Sequence, residues 1–344
     1  MSDAEKNEKN VYQQGDTVLS SRVRLARNID GVPFPVRLNV TRRAAVNRKV
    51  CETLQNAGKS MRVIDMSRLY PYEAVALAER HLISPEFTSG SEGRVLLLTE
   101  DERVSIMLNE EDHIRIQAIE PGLAPEAAYR NACDYDDALD AGIQYAFDNR
   151  LGYLNQNPRD LGTGMRVSVM MHLPALSKTG GMTKFASMIG KLGMNVRGSY
   201  GDAASVKGDI FRIGNQVSMG IKEEEAIGNL KSIAMQIATR EHAAAAEFVK
   251  DIGVRDRITR AEGVLKNAML LTADEMMEML SWVRLGALYG LNDADPYIIS
   301  EMFTSLQPAS VNVMAGAKLS APQRDEVRAK LVRQKLSSGT AAAE

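Results

Sequence analysis

Three segments of the chain place arginine on the polar face of an expected β-strand. In residues 20–24, strand alternation puts Arg22 and Arg24 on the same face, opposite an apolar side chain. The same period recurs around Arg115 and around Arg166. Guanidinium groups stay protonated and repel one another, so arginines gathered on one sheet need a multiply charged anion. Because arginine forks match phosphate oxygens, the favoured ligand is a nucleotide polyphosphate.

Known nucleotide-binding motifs do not account for this pattern. The sequence contains neither G-x-x-x-x-G-K-[ST] nor G-x-G-x-x-G, and it lacks the signatures of Ser/Thr/Tyr protein kinases. Phosphoryl transfer depends on positioning and charge neutralisation, which arginines and a metal ion can supply. Surface ion pairs are the usual explanation for a single arginine, but three such strands favour an anion site.

Periodicity predicts an α+β fold. Residues 94–100 and 104–109 predict a β-hairpin, and residues 113–119 predict a third strand beside it. Apolar spacing predicts one long helix over residues 125–147 and another over residues 223–250.

Strand signals stop near Gly253, and helix-capping patterns follow. Residues 272–275 form a capping box, and residues 320–323 form a second one that opens the last helix. We therefore predict a sheet-and-helix domain over residues 13–252 and a smaller helical domain over residues 253–336. The ends of the chain, residues 1–12 and 337–344, are expected to be disordered.

Composition limits the number of domains and the class of protein. The 344 residues suggest about two domains, and 44% hydrophobic with 25% charged residues is ordinary for a globular protein. A net charge of −2 argues against a general nucleic-acid binder. No segment reads as a signal peptide or membrane span. Cys51 and Cys133 have no metal-ligand spacing and favour a reducing cytoplasm.

Four stretches of the chain form one further pattern, and they are residues 20–28, 109–115, 161–166 and 196–198. Together they resemble the ATP:guanidino phosphotransferases, which include creatine kinases, arginine kinases and bacterial protein-arginine kinases of the McsB type. The resemblance implies a guanidino-kinase catalytic domain, a largely antiparallel sheet flanked by helices, followed by a small helical C-terminal domain. The early start of these motifs favours the protein-arginine kinase branch, because it leaves no room for the helical N-terminal domain of phosphagen kinases.

The resemblance also implies a set of ATP-binding residues that are spread over several motifs. The residues are Ser20, Ser21, Arg22, Val23, Arg24, His81, Arg115, Arg166, Val167, Ser168, Val169, Met170, Arg197, Gly198, Ser199, Tyr200, Gly201 and Asp202. The arginines would hold the phosphates of ATP, which the family uses with Mg²⁺, and no metal site made of protein side chains is expected. Without the resemblance, a lone histidine such as His81 is more often interpreted as a buried core residue.

Glu111 would hold the substrate guanidinium and help to remove its proton. The chemistry requires this step, because a protonated guanidinium has no free lone pair and its pKa exceeds about 12. A solvated acidic turn is the alternative interpretation of Glu110, Glu111 and Asp112.

Two positions depart from the family pattern. The cysteine that opens the family's C-P-x-N-L-G-T-G loop is replaced by Asn157, which cannot offset a cation. The second carboxylate of the guanidinium clamp, a glutamate in the family, is Asp202 here. A retraction of about 1 Å can cost roughly 100-fold in rate. Asp160 is a candidate for a compensating charge.

Near the end of the chain, residues 324–329 resemble the RDxxRA element of the protein-arginine kinase branch. There the element forms an allosteric phosphoarginine pocket, which implies that role for Arg324, Asp325, Glu326, Val327, Arg328 and Ala329. Two arginines one helical turn apart can grip a phosphoryl group. A solvated helical face with an i,i+3 ion pair is the alternative.

Three functions remain open. The first is an active protein-arginine kinase that marks proteins for Clp-type degradation and is activated by phosphoarginine. The second is a weak or inactive pseudokinase that binds ATP and phosphoarginine proteins. The third is a phosphagen kinase for small guanidines. The family also implies protein substrates with exposed arginines, a zinc-binding activator, Clp protease components and a homodimer, with no membrane or nucleic-acid partner.

Overall fold

The structure, a computed structural model, describes residues 16–200 and 206–340. Its main feature is an eight-stranded sheet. The strands are β1 (Val18–Arg27), β2 (Arg62–Asp65), β3 (Val95–Leu98), β4 (Val104–Leu108), β5 (Ile114–Pro121), β8 (Met165–His172), β9 (Met194–Gly198) and β10 (Ile210–Asn215), and β6 (Phe147–Asp148) with β7 (Gly152–Tyr153) form a separate pair.

The strand order in the large sheet is β2-β3-β4-β5-β1-β8-β10-β9, and every neighbouring pair is antiparallel. The predicted hairpin is confirmed as β3 and β4, with β5 as the next strand. Alternation in β1 is also confirmed, since Val23 and Leu25 are buried while Arg22 and Arg24 on the other face are partly exposed. The sheet therefore has one apolar face and one arginine-bearing face.

Helices cover both faces of the sheet. Those of the first 250 residues are α1 (Val40–Asn56), α2 (Pro71–Glu79), α3 (Pro125–Asp140), α4 (Pro174–Lys178), α5 (Gly181–Gly190) and α6 (Glu223–Phe248). Helix α2 lies on the arginine-bearing face, where its Ala74 packs with Leu96 and Met107. Apolar residues of α1, α3 and α6 pack with Val23, Val167 and Ile213 of the sheet in one core. Helix α6 agrees with its prediction to within two residues.

Helix α3 ends earlier than the prediction of residues 125–147. Its last residue is Asp140, and Gly142 then passes so close to α1 that a Cβ atom there would lie 2.8 Å from Thr53 Cγ2. The chain next runs beside β1, where the Ala146 amide donates to the Asn28 carbonyl at 2.8 Å. Apolar spacing continues through this segment, but contacts with α1 and β1 end the helix.

The described residues after α6 form helices only. They are α7 (Ile252–Asn267), α8 (Ala273–Leu288), α9 (Pro296–Ser305), α10 (Pro308–Met314) and α11 (Ala321–Thr340). Both predicted capping boxes begin helices, since Thr272 Oγ1 accepts from the Glu275 amide at 3.2 Å and the Ser320 amide donates to Gln323 at 3.0 Å. Helix α11 continues to Thr340, so the helix includes the first part of the expected disordered tail.

A second core joins these helices to the sheet. Met276, Leu280 and Val283 of α8 pack in it together with Met170 of β8 and Ile210 of β10. The helical part therefore rests directly on one end of the sheet. No helix in the described ranges is both long enough and apolar enough to cross a lipid bilayer.

Candidate active site

The arginine-bearing face of the sheet is the floor of a cavity of about 1490 Å³. Five neighbouring strands (β5, β1, β8, β10 and β9) contribute to this floor. Their cavity-lining arginines are Arg115, Arg22, Arg24, Arg166, Arg212 and Arg197. The arginines expected on the polar faces of three strands therefore meet in one cavity, together with those of β9 and β10.

Strand register places some of these arginines directly opposite one another. Arg24 of β1 is paired with Arg166 of β8, and Arg212 of β10 is paired with Arg197 of β9. Like charges on directly opposite residues destabilise a sheet. Between the two pairs lie the small residues Ser168 and Gly214, themselves register partners. The floor is therefore strongly cationic and leaves room for a ligand against the backbone.

Most of this charge has no acidic partner. Within residues 16–200 and 206–340, no carboxylate lies within 4.0 Å of the guanidinium groups of Arg22, Arg24, Arg197 or Arg212. Burial and the neighbouring arginines lower the pKa of Arg24 to about 9. Burial, followed by Arg197, also lowers the pKa of Arg212 to about 10, although Tyr200 acts in the opposite direction. A polyanion would relieve this repulsion.

One end of the cavity is formed by His81 and Tyr200, whose ring centroids are 5.1 Å apart. Burial, Arg212 and Arg22 lower the pKa of His81 well below its usual value, so its imidazole is neutral at physiological pH. Four buried polar atoms at this end have no hydrogen-bond partner in the described structure. They are Arg22 Nε, His81 Nε2, Ser199 Oγ and Tyr200 Oη. Unpaired buried polar atoms are costly, so this end is suited to a polar ligand.

The other end carries the acidic turn between β4 and β5. Glu110 is buried, forms an ion pair with Arg115 and accepts from Ser84 Oγ. Asp112 is fully buried and accepts from Asn28 Nδ2 at 2.7 Å and from a backbone amide. The Glu111 side chain is 35% exposed, lines the cavity and lies 3.1 Å from Arg115 Nη2. Of the three acids, Glu111 is therefore the one placed to meet a guanidinium.

The loop of residues 157–164 is pressed against β1. Gly164 has a φ of 64°, its carbonyl accepts from the Ala26 amide at 3.0 Å, and a Cβ atom on it would lie 2.7 Å from the Ala26 carbonyl oxygen. Asn157 lines the cavity, and its Oδ1 accepts from the Arg159 amide at 3.1 Å. Asp160 is buried in an ion pair with Arg166. Asp160 is thus already neutralised and is not a spare charge for the substrate.

The cysteines do not replace the missing thiol. Cys51 lies in α1 and Cys133 in α3, and both pack against the core on the opposite side of the sheet. Burial raises the pKa of both thiols. Neither contributes to the cavity lining in the described part of the chain.

Most of the expected ATP-binding residues line the cavity. These are Arg22, Arg24, His81, Arg115, Arg166, Val167, Ser168, Arg197, Gly198, Ser199 and Tyr200. Gly201 and Asp202 lie outside the described residues.

Several other expected binding residues are not on the cavity surface. Ser21 is fully buried and its Oγ donates to the Gly122 carbonyl at 2.8 Å, while Val23 and Val169 belong to the apolar core. Met170 packs in the second core, and Ser20 does not line the cavity. The family motifs are continuous in sequence, whereas strand alternation turns every second side chain away from the cavity.

Arg212 is a lining residue that the sequence analysis missed. It alternates with the buried apolar residues Phe211 and Ile213 in β10. The same period identified the other three arginine strands, so this signal could have found it.

Arg328, in the segment expected to bind phosphoarginine, is almost fully buried. Its side chain is 1% exposed and donates to the Leu306 carbonyl at 2.9 Å, to the Leu271 carbonyl at 2.8 Å and to Asp325 Oδ1 at 2.7 Å. Arg324 donates to the Leu319 carbonyl at 2.8 Å. Arg328 therefore fastens α11 to the neighbouring helices.

Family comparisons agree with this architecture. Residues 44–244 match the family described as ATP:guanido phosphotransferase, C-terminal catalytic domain. Residues 251–344 match the family described as Protein-arginine kinase McsB C-terminal domain. The first match ends four residues before the end of α6, and the second begins one residue before α7.

Individual relatives extend over nearly the whole chain. The protein-arginine kinase of Halothermothrix orenii is 40% identical, with 94% of this chain and 93% of the relative covered. That of Desulforamulus reducens is 41% identical, with the same coverage. Among solved structures, a lombricine kinase aligns with a TM-score of 0.59 and 26% identity over 68% of this chain and 69% of its own. A duplicated taurocyamine kinase from Schistosoma mansoni aligns at 0.60 and 24% identity over 66% of this chain and 33% of its own, which supports the fold alone.

Proposed function

This chain belongs to the ATP:guanido phosphotransferase family, and from that premise we propose that it transfers the γ-phosphate of ATP to arginine side chains of proteins. Relatives that span 94% of the chain are named protein-arginine kinases. The observation that carries the proposal is a single cavity in which arginines of five neighbouring strands form the floor and Glu111 lies at one end. This arrangement suits a phosphate chain that meets a guanidinium.

In this mechanism the arginines position the triphosphate and stabilise charge on the transferred group. Arg24 and Arg166 are the register pair nearer the acidic turn, so they would contact the terminal phosphates. Phosphoryl transfer passes through a loose transition state with charge on the equatorial oxygens, which fixed guanidinium groups stabilise.

Mg²⁺ would add further neutralisation of the ATP phosphates. The described residues include no group of three or more His, Cys, Asp or Glu side chains that could hold a metal ion. We therefore propose Mg²⁺ only as a companion of the ATP phosphates, and no step of the mechanism depends on it.

Glu111 would activate the substrate. Its carboxylate would hold the arginine guanidinium and accept one proton as the nitrogen attacks the γ-phosphorus. The N–P bond forms while the bond from phosphorus to the ADP oxygen breaks. Arg115, 3.1 Å from Glu111, would keep the carboxylate oriented.

The second candidate function is an ATP-binding protein with weak transfer or none. Asn157 favours it, because a neutral amide stands where the family has a thiolate. The cavity lining contributed by the described residues contains no cysteine.

The test is a phosphorylation assay with purified protein, Mg-ATP and casein, read by mass spectrometry for acid-labile phosphoarginine. We expect phosphoarginine on casein and none on free arginine assayed in parallel. The Glu111→Gln variant is the negative control, with transfer reduced by about 100-fold or more and ATP binding retained. ATP binding without transfer to either substrate would support the second candidate, and labelled free arginine would indicate a phosphagen kinase.

The wider setting is also part of the proposal. A homodimer, allosteric regulation by phosphoarginine near Arg324 and Asp325, a zinc-binding activator and Clp protease partners are supported by the family resemblance. A cytoplasmic location is supported by the two unpaired cysteines, Cys51 and Cys133.

A further inference from the structure

We propose that Arg212 is a further nucleotide-binding residue, which contacts the phosphate nearest the nucleoside. This inference rests on the proposed function, because it assigns a part of the same ATP cavity. Arg212 projects from β10, between β8 and β9, and lines the cavity.

The register of the sheet locates Arg212 along the cavity. Arg24 and Arg166 form one row across the strands, and Arg22, Ser168 and Gly214 form the next. A third row, two residues further along each strand, contains Arg212 and Arg197. Successive rows are about 7 Å apart.

Arg212 therefore lies away from the acidic turn, because the rows progress from Arg115 at one end of the cavity. Arg115 is the partner of Ala26 in β1, two residues beyond Arg24. Since the guanidinium held by Glu111 would attack the γ-phosphorus, the third row would contact the opposite end of the phosphate chain.

The surroundings of Arg212 indicate the nucleoside side of the cavity. Arg212 lines the cavity together with Arg22, His81 and Tyr200. The Tyr200 ring is tilted by 44° against the His81 ring, with 5.1 Å between the ring centroids. Burial, and then the charge of Arg212, lower the pKa of His81, which agrees with this placement. The unpaired polar atoms of His81, Ser199 and Tyr200 can contact a sugar or base, whereas Arg212 brings a guanidinium fork suited to a phosphate.

The charges around Arg212 support a ligand-binding role for this residue rather than a structural one. No carboxylate in the described ranges is within 4.0 Å of Arg212, and Arg197 lies directly opposite. By contrast, Arg94 lines the same cavity but donates to the carbonyls of Asn109 at 3.2 Å and Glu86 at 2.8 Å. Arg94 contributes to the fold, while Arg212 has no carboxylate partner among residues 16–200 and 206–340.

The test measures binding of ATP, ADP and adenosine to wild type and Arg212→Met by calorimetry. We expect affinity for ATP and for ADP to fall by the same factor, about 10- to 100-fold, because a charge-assisted contact to a shared phosphate is lost. Adenosine affinity should stay within about twofold. The melting temperature of ligand-free Arg212→Met should rise, because repulsion with Arg22 and Arg197 is removed.

Two further variants make the result decisive. Arg212→Lys keeps the charge but not the fork, and it should lose less affinity than Arg212→Met while folding like wild type. Arg103→Met removes an arginine that does not line the cavity, and this variant should bind ATP as wild type does. A loss for ATP alone would overturn the assignment to the nucleoside-proximal phosphate, and unchanged ATP and ADP affinity would overturn any role for Arg212. Failure of wild type to bind ATP would instead refute the proposed function.

Discussion

At the residue scale, Asn157 limits how well the cavity can receive a guanidinium. Its side chain lines the cavity, but its Oδ1 is used to accept the Arg159 amide at 3.1 Å. Asp160, the nearby acid, is neutralised by Arg166. In the described structure Glu111, which is partly exposed although it pairs with Arg115, supplies a more accessible carboxylate than Asp160. A thiolate at position 157 would add a further negative charge.

We predict that Asn157→Cys raises kcat for arginine phosphorylation. A thiolate beside the substrate guanidinium would favour the neutral nucleophile that attacks phosphorus, so the gain should grow as pH rises towards the thiol pKa. Asn157→Ser is the matched control, because its hydroxyl can still accept the Arg159 amide but carries no charge. Steady-state kinetics at several pH values would test this, and equal kcat for both variants would contradict it.

At the element scale, the Glu79 side chain connects the segment that carries His81 to the helical C-terminal part of the chain. Glu79, the last residue of α2, accepts from the Ala309 amide at 2.9 Å and from the Ser310 amide at 2.7 Å, and so caps the start of α10. His81 of the cavity follows two residues later. Arg328 of α11 donates to the Leu306 carbonyl just before α10. The position of α10 therefore depends on both the catalytic and the helical parts of the chain.

We predict that Glu79→Ala lowers the free energy of unfolding by about 1 to 3 kcal/mol, because two backbone amides lose their acceptor. ATP affinity should fall as well, since the chain that carries His81 is no longer tied to α10. Glu79→Gln keeps one acceptor oxygen and should show a smaller loss of stability. Urea denaturation of wild type, Glu79→Ala and Glu79→Gln would test this prediction. A Glu79→Ala unfolding curve that overlays the wild-type curve would refute the role of Glu79 as a cap.

At the scale of the whole molecule, a buried polar network fastens the sheet to the helical domain. His172 of β8 is bonded through Nε2 to Ser281 Oγ at 2.9 Å, and Arg284 of α8 donates to its Nδ1 at 3.1 Å. Ser281 in turn donates to Asp209 at 2.6 Å, and Lys178 pairs with Asp209 at 2.9 Å. Burial, Arg284 and Lys178 lower the pKa of His172 well below its usual value.

We predict that this junction makes the protein sensitive to acid. Because the folded-state pKa of His172 lies below its unfolded value of about 6.5, the unfolded chain binds the extra proton as pH falls through that value. The stabilising contribution of neutral His172 is therefore fully present above about pH 6.5. Below that pH, the free energy of unfolding falls by up to about 1.4 kcal/mol per pH unit.

The matched variant is His172→Gln, which can still donate and accept but does not titrate. Urea denaturation at pH 7.5 and 5.5 should show a smaller loss for this variant than for wild type. Groups that titrate in both proteins, such as Glu241, cancel in this comparison. An equal loss in both proteins would show that His172 does not cause the sensitivity.

The sequence by itself determined that three strands carry arginine on their polar faces, although the same alternation around Arg212 was missed. Alternation in residues 20–24 depends only on the local geometry of an extended chain, and so does the capping of α8 by Thr272. The family motifs likewise identified Glu111 and most of the arginines on the cavity floor, because those residues lie in continuous segments.

Only the tertiary structure decided how distant groups pair. Asp160 forms an ion pair with Arg166, so its charge is already balanced. Arg328 is buried and donates to two backbone carbonyls outside its own helix. Arg212 joined the cavity because β10 lies between β8 and β9 in the sheet. These outcomes depend on contacts between residues far apart in the chain, and local periodicity carries no information about such contacts.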